Sequence, residues 1–406
     1  MTGLRFCPAT SGGYGIVRIG ADIPESQILM ASSSACGRHI SVSSFDAGYR
    51  DRISFYVADE KEIILGTMED GLAEAAGRII SERRPKILLI YVCCSTYIAG
   101  LDNDRLRSRI KRENPGTEVQ VMDMNPVAAG TSNPPSVATQ RKIVGLFKIT
   151  GRKDRAINLI GSDAAPMKGC ELYDIAECNG IEIRHLTLCK TYDEFTEMGS
   201  SSLNAVLSSK AMVAAKEISD RIPYLSMLPT YSIDRVRENY GKLFDMMGMS
   251  YDLGHVEEKT ARKVESTAEF VRGMSISVGS TATERPFGLA KALYDYGMDV
   301  RSVFHDGISK AEAKDVDYLR SETPSLKIYD CGDPSMSSKI GKCDRADIAI
   351  GFNASYFTRA EHNVDIVLDT GLFGFHGIEA MMEAIIESVR HPKGLTGLVE
   401  KANLVI

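Results

Sequence analysis

With 406 residues the chain is too long for one hydrophobic core, and two or three domains are expected. It is 44% hydrophobic and 25% charged, an ordinary globular profile, and no apolar run approaches the roughly 20 residues that cross a bilayer. The formal net charge of −6 is small for this length and argues against a general nucleic-acid surface. The opening MTGLRFCPATSGGYG has no long apolar stretch, so no signal peptide is expected. Nine cysteines without a secretory signal point to a reducing, cytoplasmic setting with thiols free or bound to metal.

Residues 1–50 read as irregular, with Gly- and Ser-rich stretches at Ser11–Gly15 and Ala31–His39. Ile53–Val57 and Glu62–Gly66 read as short strands, followed by a helix over Met68–Arg83. Ile87–Val92 is a run of apolar and β-branched residues and predicts a strand buried on both faces of a parallel sheet. Cys93 and Cys94 sit where that strand should end, near a predicted helix whose N-terminal partial charge favours thiolate. A helix over Asp104–Arg112, a strand over Glu118–Met122 and a Pro-containing loop over Asn125–Ser136 close this first domain, residues 1–150.

The second domain, 151–255, alternates strands at Ile157–Gly161, Ile181–Leu186, Asn204–Ser209 and Tyr224–Leu228 with helices at Cys170–Asn179 and Ala211–Asp220. A charged helix, Glu257–Arg272, leads into the third, 256–406. There strands are expected at Ser275–Gly279, Asp299–Phe304, Leu326–Asp330, Asp347–Phe352 and Asp365–Asp369, with a helix at Phe287–Tyr296 and a last one running from Gly374–Gly377 to about Arg390. Strands alternating with helices imply βαβ units, so the fold class is α/β: three Rossmann-like domains with mainly parallel sheets.

Cys7, Cys36 and Cys94 all fall at loops or strand ends of the first domain. Their wide spacing is no short zinc or ferredoxin signature. With its surroundings, each nevertheless resembles a cysteine of the nitrogenase component 1 superfamily. That superfamily includes the molybdenum–iron protein, its cofactor-assembly scaffold, the dark-operative protochlorophyllide and chlorophyllide reductases, and the reductive cyclase of coenzyme F430 synthesis. Cys7 precedes a Gly-rich turn, Cys36 stands in SSACGRH, and Cys94 is followed by Gly100 and Asp102, the offset that selects it over Cys93. The late GFHG is similar to the family's motif before its last long helix. The likeness is diffuse and covers about residues 5–390.

The resemblance implies that Cys7, Cys36 and Cys94 hold an iron–sulfur cluster, [4Fe–4S] or a larger P-cluster-like group, at a subunit interface. It implies a homodimer or a heterotetramer with a paralogous subunit, an ATP-hydrolysing iron protein as electron donor, and a small organic or tetrapyrrole substrate. Two departures count against a nitrogenase-type molybdenum cofactor. Ser208 stands where the catalytic subunit has its cofactor cysteine, and Asp365–Phe373 holds no histidine. The chain also lacks a GxxxxGK[ST] phosphate loop, so it is not expected to hydrolyse ATP. The first expectation is therefore a nitrogenase-like reductase subunit. The second is an assembly scaffold that carries a metallocluster without turnover, and the third a metal-free Rossmann-like binding protein.

Arg38 and His39 stand near Cys36 as candidate charge and proton or hydrogen-bond donors, each matched by the reading of an ordinary loop residue. His376, between glycines before the last helix, is expected to cap or pack, with proton delivery as the alternative; Cys170 and Cys178 are expected in structural roles, and Cys189, Cys331 and Cys343 as core or surface thiols. The turn GSTATERP resembles an anion-binding turn through Ser280, Thr281 and Thr283.

Overall fold

The computed structural model describes residues 4–8, 15–34, 36–37, 48–125, 131, 133–151 and 153–395. It forms two compact units. One, called here the two-sheet unit, comprises Gly13–Asp163 and Glu182–Ser226; the other, the one-sheet unit, comprises Met1–Gly12, Ala164–Ile181 and Met227–Ile406. All strand pairings among the described residues are parallel. The mixed α/β class with parallel sheets, arranged as three sheets, follows directly.

In the two-sheet unit the first sheet contains β1 (Ser26–Ser32), β2 (Ile53–Val57), β3 (Ile87–Val92) and β4 (Glu118–Asp123) in the order β2-β1-β3-β4. Every residue of β3 is buried, as its apolar run requires. One face packs through Leu29, Ala31, Leu88 and Ile90 on α3 (Met68–Arg83) and α5 (Asn103–Glu113). The other packs through Ile28, Met30, Leu89 and Tyr91 toward α1 (Gly15–Ala21) and α6 (Pro135–Val144). The second sheet contains β5 (Asp154–Ile160), β6 (Glu182–His185), β7 (Ser201–Val206) and β8 (Tyr224–Ser226), in the order β6-β5-β7-β8.

Two expectations fail in this unit. Residues 1–50 are not irregular throughout, because α1 and the central strand β1 lie there. The sequence SQILMAS carries one β-branched residue and several good helix formers, so local preference hides a strand that burial between β2 and β3 secures. Glu62–Gly66 is not a strand but the end of α2 (Glu60–Leu65). Asp59 caps that helix in a capping box with Glu62, and Gly66 closes it at φ 68°, which outweighs the pull of Ile63 and Ile64 toward extended backbone.

The one-sheet unit holds β9 (Ser275–Gly279), β10 (Asp299–His305), β11 (Lys327–Asp330), β12 (Ile348–Ile350) and β13 (His362–Val364), in the order β11-β10-β9-β12-β13. Its helices include α7 (Glu171–Cys178), α10 (Ile233–Met247), α11 (Gly254–Phe270), α12 (Pro286–Asp295), α13 (Ala313–Glu322), α14 (Phe352–Thr358) and α15 (Gly374–Arg390); α4 (Cys94–Ile98), α8 (Tyr192–Glu197) and α9 (Met212–Glu217) belong to the two-sheet unit. Asp365–Asp369 is not a strand: the edge strand ends at Val364, and Leu368 and Asp369 take positive φ of 46° and 55°. Leu368 and Asp369 instead donate their N–H groups to the carbonyls of Thr281 and Ala282, which turns the chain out of the sheet.

Candidate metal centre

In an open parallel sheet, the strand order reverses at one point, and ligands bind beyond the carboxyl ends of the two strands that flank it. Each of the three sheets has such a point, and they differ in what they present there.

In the first sheet the point lies between β1 and β3, which pair with Ala31 opposite Val92. Cys36 follows β1, and Cys93 and Cys94 follow β3. Cys93 is buried in the core, its carbonyl accepting from the Thr96 hydroxyl at 2.6 Å and its Sγ lying 3.2 Å from Ser95 Oγ. Cys94 is only half-buried and opens α4, which packs beside β1. The Cys94 thiol is pushed above its ordinary range, first by burial and then by Cys93 and Cys36 close beside it. The helix expected over Asp104–Arg112 is present as α5, but thiolate is not favoured at Cys94 itself. Helix α4 is five residues long and leaves burial and neighbouring sulfur to dominate. A metal bound at such a thiol would displace its proton.

Two further features of this edge suit a bulky sulfur-bound group. Ser32, the last residue of β1, is fully buried, and among the described residues its Oγ has no hydrogen-bond partner. Gly37 is closely packed, since a Cβ there would stand 3.2 Å from the Phe55 ring and 3.3 Å from Ser32 Oγ. Gly100 and Asp102, which identify Cys94 in the sequence, also have local jobs: Gly100 turns at φ 69°, and Asp102 caps α5 by accepting from the Asp104 and Arg105 N–H groups at 3.1 and 3.0 Å.

In the second sheet the point lies between β5 and β7 and is closed. A Cβ on Gly161 would meet Ala211 Cβ at 2.8 Å and Ser208 Cβ at 3.0 Å. Ser208 is buried and accepts from the Lys210 N–H at 3.2 Å. Nearby, His185 is neutral, its pKa pulled down to about 4 by burial. Its Nδ1 accepts from the Thr187 N–H at 3.1 Å, which leaves Nε2 as the proton-bearing nitrogen toward Ser162, so it cannot serve as a base for that hydroxyl.

In the third sheet the point lies between β9 and β12, and Asn353 fills it. Its Oδ1 accepts from the Thr281 hydroxyl and its Nδ2 donates to Ser280 Oγ, each at 2.9 Å. The GSTATERP turn is likewise occupied by protein. Asp369 accepts from the Thr283 hydroxyl at 2.8 Å, the Glu284 N–H at 3.1 Å and the Tyr231 hydroxyl at 2.6 Å. Burial pushes the Asp369 carboxyl up to about 6 against those three donors.

Cys7 belongs to the one-sheet unit and is exposed. Its segment is held by Phe6 N–H donating to the Gly332 carbonyl at 2.9 Å and by an Arg5–Asp330 ion pair at 3.3 Å. The structure thus brings Cys36 and Cys94 together at one sheet edge. Among the described residues, no three His, Cys, Asp or Glu side chains gather closely enough to hold a metal ion by themselves. Arg38 and His39 lie outside the described residues.

The remaining cysteines divide plainly. Cys331 and Cys343 are buried with Phe304 and Phe357, Cys189 is half-buried, and Cys178 is exposed at the end of α7. Cys170 is buried at the start of α7, where burial raises its pKa far above that of a free thiol. Next to it is a residue that the sequence did not single out. The buried Glu171 accepts from the Tyr240 hydroxyl at 2.6 Å and from the Phe375 and His376 N–H groups at 2.7 and 3.1 Å. It caps α15 from the far side of the sequence and explains the GFHG motif. Gly374 turns at φ 62°, and a Cβ on it would collide with Glu171 Oε1 and come within 2.7 Å of Tyr240 Oη.

Comparison with known proteins agrees with this architecture. The model of the family described as nitrogenase component 1 type oxidoreductase matches residues 14–390. The nitrogenase iron-molybdenum cofactor biosynthesis protein NifE of Clostridium pasteurianum is 23% identical over 325 residues, covering 77% of this chain and 70% of that protein. The solved structure titled nitrogenase Cp1 at pH 6.5 superposes with a TM-score of 0.76 at 18% identity, covering 96% of this chain and 94% of that one. The structure titled nitrogenase Cp1 at pH 5 gives 0.66 at 13% identity, with 96% and 89% covered. Among the described residues no helix is long and apolar enough to cross a membrane.

Proposed function

We propose a role from one premise: this chain belongs to the nitrogenase component 1 type oxidoreductase family. The proposed function is that of an iron–sulfur subunit of a nitrogenase-like reductase. It receives electrons from an ATP-hydrolysing iron protein and delivers them to a small organic or tetrapyrrole substrate. The observation that carries this reading is the convergence of Cys36 and Cys94 at the reversal point of the first sheet, while the corresponding points of the other two sheets are filled by Ser208 with Ala211 and by Asn353.

Cys36 and Cys94 would hold the cluster together with Cys7, as [4Fe–4S] or a larger P-cluster-like group. When bound, the cluster supplies one-electron transfer. The chain's own contribution is to bury one flank of the cluster against the β1–β3 edge, to keep Cys93 out of the ligand set by packing it in the core, and to hold Cys94 on a short helix anchored by Thr96. A nitrogenase-type molybdenum cofactor is not part of the proposal, since the Ser208 hydroxyl is engaged as a cap and is not a soft ligand.

A partner subunit, paralogous or identical, is proposed to cover this edge. Tyr97 and Ile98, on the helix of Cys94, are 66% and 79% exposed. Exposed apolar side chains on the helix of a proposed ligand suit the core of an interface. The proposed setting is the cytoplasm.

A second reading is favoured by one observation, the likeness to NifE, named as a cofactor biosynthesis protein. In that reading the same cysteines carry a cluster for delivery and no substrate is turned over. Anaerobic purification with iron and acid-labile sulfide analysis tests what the two readings share. A well-folded chain that stays iron-free after reconstitution refutes both. ATP-dependent substrate reduction with an iron protein supports the reductase. Transfer of the cluster to an apo acceptor without turnover supports the scaffold.

A further inference from the structure

We propose that Ser32 is a positioning residue for the cluster, its hydroxyl donating a hydrogen bond to a thiolate or sulfide sulfur at the β1–β3 edge and setting the reduction potential. The inference rests on the cluster reading above and adds a residue that is not a ligand.

Three observations carry it. Ser32 is fully buried, and among the described residues its Oγ has no partner. A buried hydroxyl without a partner costs roughly 1–3 kcal/mol, so an unexplained one calls for an absent acceptor. Second, the hydroxyl faces the thiol side of the sheet. Along β1, Leu29 and Ala31 pack on one face, Ile28 and Met30 on the other, and Cys93 and Cys94 join the core of that second face. The alternation of a strand puts Ser32 with Ile28 and Met30. Third, Ser32 Oγ lies 3.3 Å from where a Cβ on Gly37 would be, beside Cys36, and α4 with Cys94 packs against the same strand. Ser32 is not alone in this, since the buried His305 Nδ1 at the end of β10 beside Cys331 is also orphaned among the described residues; what sets Ser32 apart is its place on the strand that leads to Cys36 and packs against the helix of Cys94.

The chemistry is specific. Cluster sulfurs are acceptors whose negative charge grows on reduction, so a donated hydrogen bond strengthens in the reduced state and raises the potential. Removing the hydroxyl therefore lowers the midpoint potential.

The test uses the full chain, reconstituted anaerobically with ferrous iron and sulfide, as wild type, Ser32→Ala and Ser32→Thr. Iron per chain, the midpoint potential from a redox titration followed by electron paramagnetic resonance, and the shift of the Fe–S stretching bands in D2O are read for each. Ser32→Ala is expected to bind as much iron as wild type, to titrate at a more negative potential and to lose part of the isotope shift, with Ser32→Thr returning both toward wild type. Uptake of iron by Ser32→Thr but not Ser32→Ala also supports the role, since only the hydroxyl separates them. Equal potentials and isotope shifts in wild type and Ser32→Ala overturn it. So does an equal change in both variants, or loss of iron by both with the fold intact, which would mark a packing effect. A wild-type chain that takes up no iron is a different failure, that of the cluster reading itself, and removes this inference with it.

Discussion

Replacing Glu171 by alanine should destabilise the one-sheet unit without touching the metal. Three donors lose their acceptor at once: the Tyr240 hydroxyl and the Phe375 and His376 N–H groups, at 2.6, 2.7 and 3.1 Å. Tyr240 is completely buried and Glu171 nearly so, and water reaches the vacated space poorly. Each stranded donor costs about 1–3 kcal/mol. Partial relaxation of the α15 N-terminus recovers some of this, so the net loss should be about 3–5 kcal/mol. Glu171→Gln keeps one acceptor oxygen but turns an amide N–H₂ toward a backbone donor, and should lose about 1–2 kcal/mol. The chain has no tryptophan, so urea unfolding is best followed by far-ultraviolet circular dichroism, with the m-value checked for constancy across variants. Iron content measured on the same preparations should equal that of wild type. The reasoning fails if Glu171→Ala costs less than about 1 kcal/mol, or if alanine and glutamine cost the same, because the capping geometry would then not be what holds α15.

Cys94→Ala should abolish or rearrange iron binding after reconstitution, whereas the exposed Cys178→Ala should leave iron per chain unchanged; loss of iron on Cys93→Ala and not on Cys94→Ala would move the ligand by one residue. Asp369 is raised from 3.8 to about 6. Its contribution to stability is therefore complete below pH 3.8, falls as pH climbs through about 6 and is constant above, by about 3 kcal/mol in all. Denaturation of wild type and Asp369→Asn across that window should show wild type losing ground to the variant, and parallel curves would refute the raised value. Ile98→Asp, at a position 79% exposed, should leave the unfolding midpoint within about 0.5 kcal/mol of wild type yet shift sedimentation toward the monomer; an unchanged mass would place the partner surface elsewhere.

What could be read from the sequence followed the range of the forces involved. ILLIYV announced β3 because a strand covered on both faces must be apolar throughout. The offset from Cys94 to Gly100 and Asp102 was legible because a left-handed turn and a helix cap act within a few residues. Strand β1 was not legible, since SQILMAS becomes a strand through its neighbours and not through its own preferences. EIILG misled for the opposite reason: a capping box from Asp59 to Glu62 decides the backbone before the isoleucines do. Glu171 and Asp369 stayed hidden because their donors lie far away in sequence, at Tyr240, Phe375 and His376 for the first and at Tyr231, Thr283 and Glu284 for the second. Ser32 could not stand out either, as a serine at the end of a strand is unremarked until its hydroxyl is seen to have nothing to bond.

The carboxyl groups of the one-sheet unit bear on which phosphorylated ligands this sheet can accept. Glu171 takes the first N–H groups of α15, Asp369 takes the turn that leads into α12, and Glu312 accepts from the Phe287 N–H at the start of α12 itself. A nucleotide approaching these termini meets oxygen where it would need free amides, and repulsion where it would need attraction. The sheet therefore keeps the strand order of a mononucleotide cradle, while the helix N-termini such a ligand would use are already taken by the protein's own carboxyl groups.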